Sequence, residues 1–134
     1  MSYSRYIDWL DEGLDDYATA LDLHRLKRYS KACYFAHQAC EKAAKALLIK
    51  KLGRYETIHS VAELLRRASE VVEVPEELIS KADFLDGLYV PTRYPNAWPA
   101  GAPYRHYTAE DSEKAISYAR EVLELVKREI EGDP

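Results

Sequence analysis

The chain has 134 residues, 47% of them hydrophobic and 31% charged, with a formal net charge of −4. That length fits one domain, residues 1–134, with a core that needs neither metal nor disulfide, and no apolar run approaches the roughly 20 residues of a membrane span. The start, "MSYSRYIDWLDEGLDDY", lacks the cationic and apolar pattern of a secretion signal, so a cytoplasmic protein is expected, and the acidic balance argues against a general nucleic-acid binder.

Tyr6, Trp9, Leu10, Leu14, Tyr17 and Leu21 recur at three- and four-residue steps, which predicts an amphipathic helix from about Arg5 to Leu26. Asp8, Asp11, Glu12, Asp15 and Asp16 favour its early turns through the helix dipole. A second helix, about Ser30 to Leu52, sets Cys33, Ala36, Cys40, Ala43, Ala44 and Leu47 on one side; Lys31, Gln38, Glu41, Lys42 and Lys45 share the other, expected to be exposed. Its small residues permit close helix approach, which places it centrally, and Gly53 is a suitable stop. Cys33 and Cys40 lie seven apart in this pattern, beyond disulfide reach, and read as core residues. No second Cys or His pair offers zinc spacing, so no metal or other cofactor is implied.

Ser60 with Glu63 reads as a capping box opening a helix through Val72. Pro75, Glu76 and Glu77 mark the first turn of a shorter helix reaching about Leu88. Thr108 with Asp111 starts the last helix, whose stripe is Ile116, Ala119, Leu123, Val126 and Ile130. No β-type alternation survives. The expected architecture is all-α, an up-and-down antiparallel bundle of four main helices and a shorter one.

One long connection, residues 89–108, precedes the last helix and holds four of the six prolines. Prolines at 91, 95, 99 and 103 exclude a helix throughout it, while Tyr89, Tyr94, Trp98, Tyr104 and Tyr107 make it too aromatic for a disordered segment. An ordered loop packed by its rings is expected. Charge is also segregated: from His24 to Arg54 nine Lys or Arg face Glu41 alone, and the loop adds Arg93 and Arg105 without an acid. Either basic and acidic helices pair within the bundle, or the cations meet an anionic ligand. The scarcity of Asn and Gln, one each beside plentiful Glu, Lys and Arg, suggests a thermophile source.

Two stretches are specific together: "CYFAHQACEKAAKALLIKKLG", Cys33 to Gly53, and "YVPTRYPNAWPAGAPYRHYTAEDSEKAISYAREVLELV", Tyr89 to Val126. They resemble the HEPN domain family, the higher eukaryote and prokaryote nucleotide-binding domains, in the branch with a "PTRYP" loop, over about Ser4 to Ile130. The resemblance implies a helical bundle, often a homodimer, encoded beside a minimal nucleotidyltransferase with which it forms a toxin–antitoxin pair, and binding of nucleotide or RNA. Many members are metal-independent ribonucleases using an Arg followed, after four to six residues, by a His near the start of the last helices. Such a His can move a ribose hydroxyl proton while the Arg holds the scissile phosphate.

Arg93 is the nearest counterpart of that Arg, but residues 94 to 100 contain no histidine and the first imidazole is His106. Arg54 and His59 have the spacing yet fall in the junction between the second and third helices, where the motif does not belong. The expected function is therefore a nucleotidyltransferase partner; a ribonuclease with a degenerate Arg/His site is the alternative. Arg93, His106 and His37 are the catalytic candidates. Arg93 could hold a phosphate or carboxylate, or bridge acids of its own domain. His106 is a surrogate base or a capping contact, and His37 is chemistry or a structural hydrogen bond. Tyr94, Trp98 and Tyr104 could stack on a base, with packing against the bundle or against a second protomer expected for at least two of them; Arg105, Lys42 and Lys45 complete the candidate ligand or partner surface.

Overall fold

The computed structural model describes residues 5–132. Among the described residues there are five α-helices and no strand: α1 Tyr6–Arg25, α2 Tyr29–Leu52, α3 Val61–Ala68, α4 Glu76–Asp86 and α5 Ala109–Glu131. None of these helices is long and apolar enough to cross a membrane.

The central place of α2 follows from its composition. Alanines and cysteines at 32, 33, 36, 39, 40, 43, 44 and 46 are buried around most of its circumference, and α1, α3, α4 and α5 all pack on it. Small side chains let backbones approach. At Gly13 of α1 a Cβ would lie 2.9 Å from the Ala39 carbonyl oxygen, closer than real contacts allow. Gly53, at φ 63, ends α2 in the left-handed conformation that glycine adopts without penalty. Both cysteines are free and fully buried, and burial pushes the Cys33 thiol up to about 12.

Two helices stop earlier than the hydrophobic pattern predicts. Helix α3 ends at Ala68, because the following amides of Ser69, Glu70 and Val71 tighten into bonds with carbonyls three residues back. Val72 stays buried without being helical. Likewise α4 ends at Asp86 and gives way to successive turns.

The proline segment is ordered as expected, with one correction: the prolines do not exclude helix throughout. Pro95 and Pro103 each open a short 3₁₀ turn, Pro95–Ala97 and Pro103–His106, where their missing amide is no loss. Thr92, buried, donates to the Leu88 carbonyl (2.6 Å) and holds the loop's entry to the end of α4. Its exit is fixed by the capping box of Thr108 and Asp111.

Candidate functional site

Helix α3 is only eight residues long, and its start is where the site is built. Ser60 caps it, accepting from the Glu63 amide at 3.0 Å, but among the described residues the Glu63 side chain returns no bond to close the expected box. The acid that completes the cap comes from elsewhere in the chain: Asp86, at the end of α4, accepts from the amides of Val61 (2.7 Å) and Ala62 (3.1 Å) and from the Ser60 hydroxyl (2.7 Å). Its fourth donor is His37 Nε2 of α2, at 3.1 Å. Burial acts to raise the Asp86 pKa, but the bonds from His37, Ser60 and the two amides outweigh it and hold the carboxyl below its ordinary value. His37 is wholly buried, and Gln38 donates to its Nδ1 at 3.2 Å, so this ring is one link of a carboxylate network.

Tyr89 lies over this network. Its ring centroid is 5.2 Å from that of His37 and 4.9 Å from that of His59, on which it stacks at 19°. These residues, with Ser60 and Asp86, line a shallow cavity of about 200 Å³. His59 is exposed, and its Nδ1 lies 3.3 Å from Glu41 Oε2, so a buried carboxylate orients an accessible imidazole.

Arg93 approaches the same tyrosine. Its guanidinium carbon is 4.5 Å from the Tyr89 ring centroid, 4.6 Å from Tyr34 and 4.8 Å from Tyr94. Its Nε donates to the Tyr89 carbonyl at 2.9 Å. Among the described residues no carboxylate pairs with it. The Tyr34 hydroxyl is pushed up by burial, and the Arg93 charge acts against that shift. The assembly therefore joins a cation confined by aromatic faces to an exposed imidazole, with one tyrosine ring between them.

The other loop residues are placed differently. Trp98 stacks on His106 with centroids 3.9 Å apart and planes 2° from parallel, meets Tyr107 edge-on, and donates from Nε1 to the Pro91 carbonyl at 2.7 Å. His106 Nε2 bonds the Ala100 carbonyl at 2.8 Å across Gly101, whose φ of 82 permits the reversal. His106 is thus engaged within the loop while Arg93 is engaged by Tyr34, Tyr89 and Tyr94. Of Tyr94, Trp98 and Tyr104, Trp98 is packed into the loop, while Tyr94 is 48% and Tyr104 56% exposed in the single chain. Arg105 lies over Tyr104, 4.9 Å from its ring centroid.

Lys42 and Lys45 correct the expected exposed face of α2. Lys45 is buried, bonded to the buried Glu41 at 2.9 Å, with Trp9 and Tyr55 ring centroids 5.6 and 5.8 Å from its Nζ. Lys42 pairs with the buried Asp16 of α1 at 2.5 Å. The aromatic stripe of α1 covers what a helical wheel of α2 alone leaves open. A cavity of about 480 Å³ lies outside the Arg93 cluster, lined by Arg5, Asp8, Trp9, Glu12 and Lys42. Among the described residues no group of three His, Cys, Asp or Glu side chains is placed to hold a metal ion.

Sequence reasoning passes over Tyr34, Tyr89, Asp86, Ser60 and His59 as site residues. The signal for His59 is its spacing from Arg54, but Arg54 turns to Glu70 (3.1 Å) and it is Arg93 that shares Tyr89 with His59.

Comparison with known proteins agrees with this architecture. The chain is 30% identical over 122 residues to a Methanocaldococcus jannaschii protein named "Putative toxin MJ1304", covering 84% of this chain and 80% of that one. Among solved structures, TT1696 from Thermus thermophilus superposes with a TM-score of 0.89 at 40% identity, covering 92% of this chain and 97% of that one. ST0689, described as an archaeal HEPN homologue, gives 0.79 at 33%, covering 97% and 99% of the two chains. The HEPN domain model matches residues 6–129, and the chain belongs to the HEPN domain family.

Proposed function

We propose that this protein is the HEPN subunit of a toxin–antitoxin-like module, a homodimer that pairs with a minimal nucleotidyltransferase and binds nucleotide or RNA phosphate at the Arg93 cluster. The observation that carries the binding site is Arg93 itself: a guanidinium held among Tyr34, Tyr89 and Tyr94, without a carboxylate partner among the described residues. A cation set between aromatic faces is positioned before a ligand arrives, and the half-exposed Tyr94 offers a stacking face beside it. The similarity to a protein named as a toxin supports the module. Co-expression with a neighbouring nucleotidyltransferase tests the pairing: a stable complex on size exclusion is expected, and separate elution of the two proteins would overturn it.

A second reading is favoured by one further contact. His59, oriented by Glu41 and stacked on Tyr89, is an exposed imidazole beside the Arg93 cluster. In a ribonuclease, His59 takes the proton of a 2′-hydroxyl as that oxygen bonds to the phosphorus, Arg93 holds the phosphate, and the departing 5′-oxygen takes a proton from the imidazolium so formed or from water, a division of labour that needs no metal. Incubation with cellular RNA tests it. Cleavage that survives chelator and disappears in both Arg93→Ala and His59→Ala supports the reading, and intact RNA refutes it.

A further inference from the structure

The polar side chains beneath Tyr89 form one chain of hydrogen bonds, and both of its ends are fixed by groups that can only donate. At one end the two oxygens of Asp86 accept from backbone amides, Oδ1 from Val61 at 2.7 Å and Oδ2 from Ala62 at 3.1 Å. At the other, Glu41 Oε2 accepts from the Lys45 ammonium at 2.9 Å, and both of these side chains are buried. With each carboxylate held as an acceptor, every contact between them acquires a direction.

His37 Nε2, 3.1 Å from Asp86 Oδ1, carries a hydrogen. Gln38 Nε2 reaches both His37 Nδ1, at 3.2 Å, and Glu41 Oε1, at 3.4 Å. Its two hydrogens serve one acceptor each, whereas the flipped amide would set its carbonyl oxygen against a carboxylate oxygen. Hence His37 Nδ1 accepts, and both nitrogens of this buried ring are taken. The last link is His59, whose Nδ1 lies 3.3 Å from Glu41 Oε2. Facing an acceptor, that Nδ1 carries the hydrogen, and Nε2 is the accepting nitrogen of the neutral ring. The side chain is exposed, and the Tyr89 ring stacked on it at 19° holds its plane.

We propose that Glu41 is a positioning residue for His59: it places the ring hydrogen on Nδ1 and leaves Nε2 to take a proton, while Gln38 aims Glu41 and closes His37 to the same role. Which nitrogen carries the hydrogen is set by the bond the other makes. Without such a bond the neutral side chain in water keeps it mainly on Nε2, so the two cases are distinguishable. Only the source of the proton rests on the ribonuclease reading; the tautomers stand without it.

Long-range proton–nitrogen correlation spectra of the full chain, with labelled histidine at about pH 8.5 where ordinary imidazoles are neutral, report the tautomers directly. His59 is expected in the Nδ1–H form and His37 in the Nε2–H form. Glu41→Gln should return His59 to mixed tautomers, and so should Glu41→Gln combined with Lys45→Met, which also removes the cation that the single variant leaves buried. Gln38→Leu should move the His37 Nδ1 resonance, because that nitrogen loses its donor. Cleavage of cellular RNA, read alongside, should slow at least about tenfold in both Glu41 variants. A wild-type His59 in the Nε2–H form, or one tautomer shared by wild type and both Glu41 variants, would overturn the positioning role. An unmoved His37 Nδ1 resonance would overturn the part given to Gln38. Intact RNA from a wild type that shows His59 in the Nδ1–H form strikes the ribonuclease reading alone, and the positioning of His59 by Glu41 stands.

Discussion

Replacing Asp86 by alanine removes the acceptor for four donors at once: the amides of Val61 and Ala62, the Ser60 hydroxyl and His37. Losing an N-cap acceptor costs about 1 kcal/mol, and leaving a buried donor such as His37 Nε2 unsatisfied costs about 1 to 3 kcal/mol. Ser60 keeps its bond to Glu63 and softens the loss, so about 3 kcal/mol is expected for the variant. In a domain of this size that corresponds to a fall in Tm of roughly 10 °C. Calorimetry at about pH 7 reads it directly. Asp86→Asn keeps one acceptor oxygen but turns a donor toward donors, and should fall between alanine and wild type. The pH dependence follows from the depressed carboxyl. Its stabilisation is present in full above the unfolded carboxylate pKa, near about 4, and is lost as pH falls through the lower folded value, so the gap between wild type and Asp86→Ala should close only in strong acid. An alanine variant melting within about 3 °C of wild type would refute the assignment of Asp86 as the cap that joins α2, α3 and α4.

Gly13→Ala should destabilise by about 1 to 2 kcal/mol in urea titrations although alanine is the better helix former, because its Cβ would meet the Ala39 carbonyl at 2.9 Å. Lys45→Ala removes the cation from the buried Glu41, leaving it the longer contacts of Gln38 and His59, and should cost about 3 kcal/mol, most of it recovered when Glu41 is also made uncharged; additive losses in the double variant would contradict the pairing. Cys33 and Cys40, buried and with raised thiol pKa values, should resist a thiol reagent at about pH 8 until the chain is unfolded.

The bundle was legible in the sequence because its signals are local. Apolar steps of three and four residues, Ser60, Thr108 and Gly53 mark the five helices to within a few residues. Of the candidate site, Arg93 was legible from its acid-free loop and its likeness to the family's Arg, and His37 as a structural hydrogen bond. Asp86 looks like any acid near a helix end; its role depends on α3 starting beside it, a tertiary fact with no periodic trace. Lys45 misleads for the opposite reason. A helical wheel assigns it to the polar face, but Trp9 and Tyr55, from two other parts of the chain, close over it. His59 carries its signal only through Arg54, the wrong partner, and it reaches Arg93 through Tyr89, a residue with no chemical signature of its own.

The most direct test of the account is the affinity of the full chain for a short single-stranded RNA, by fluorescence anisotropy at fixed salt, for wild type, Arg93→Ala and Arg93→Lys. The loss of a charge-assisted phosphate contact predicts at least a tenfold weaker Kd for alanine, about 1.5 kcal/mol or more, with only partial rescue by lysine, which lacks the planar fork that stacks between Tyr34 and Tyr89. Equal affinities in all three proteins, with Tm lowered in the alanine variant, would contradict it and leave Arg93 as a pin for the loop.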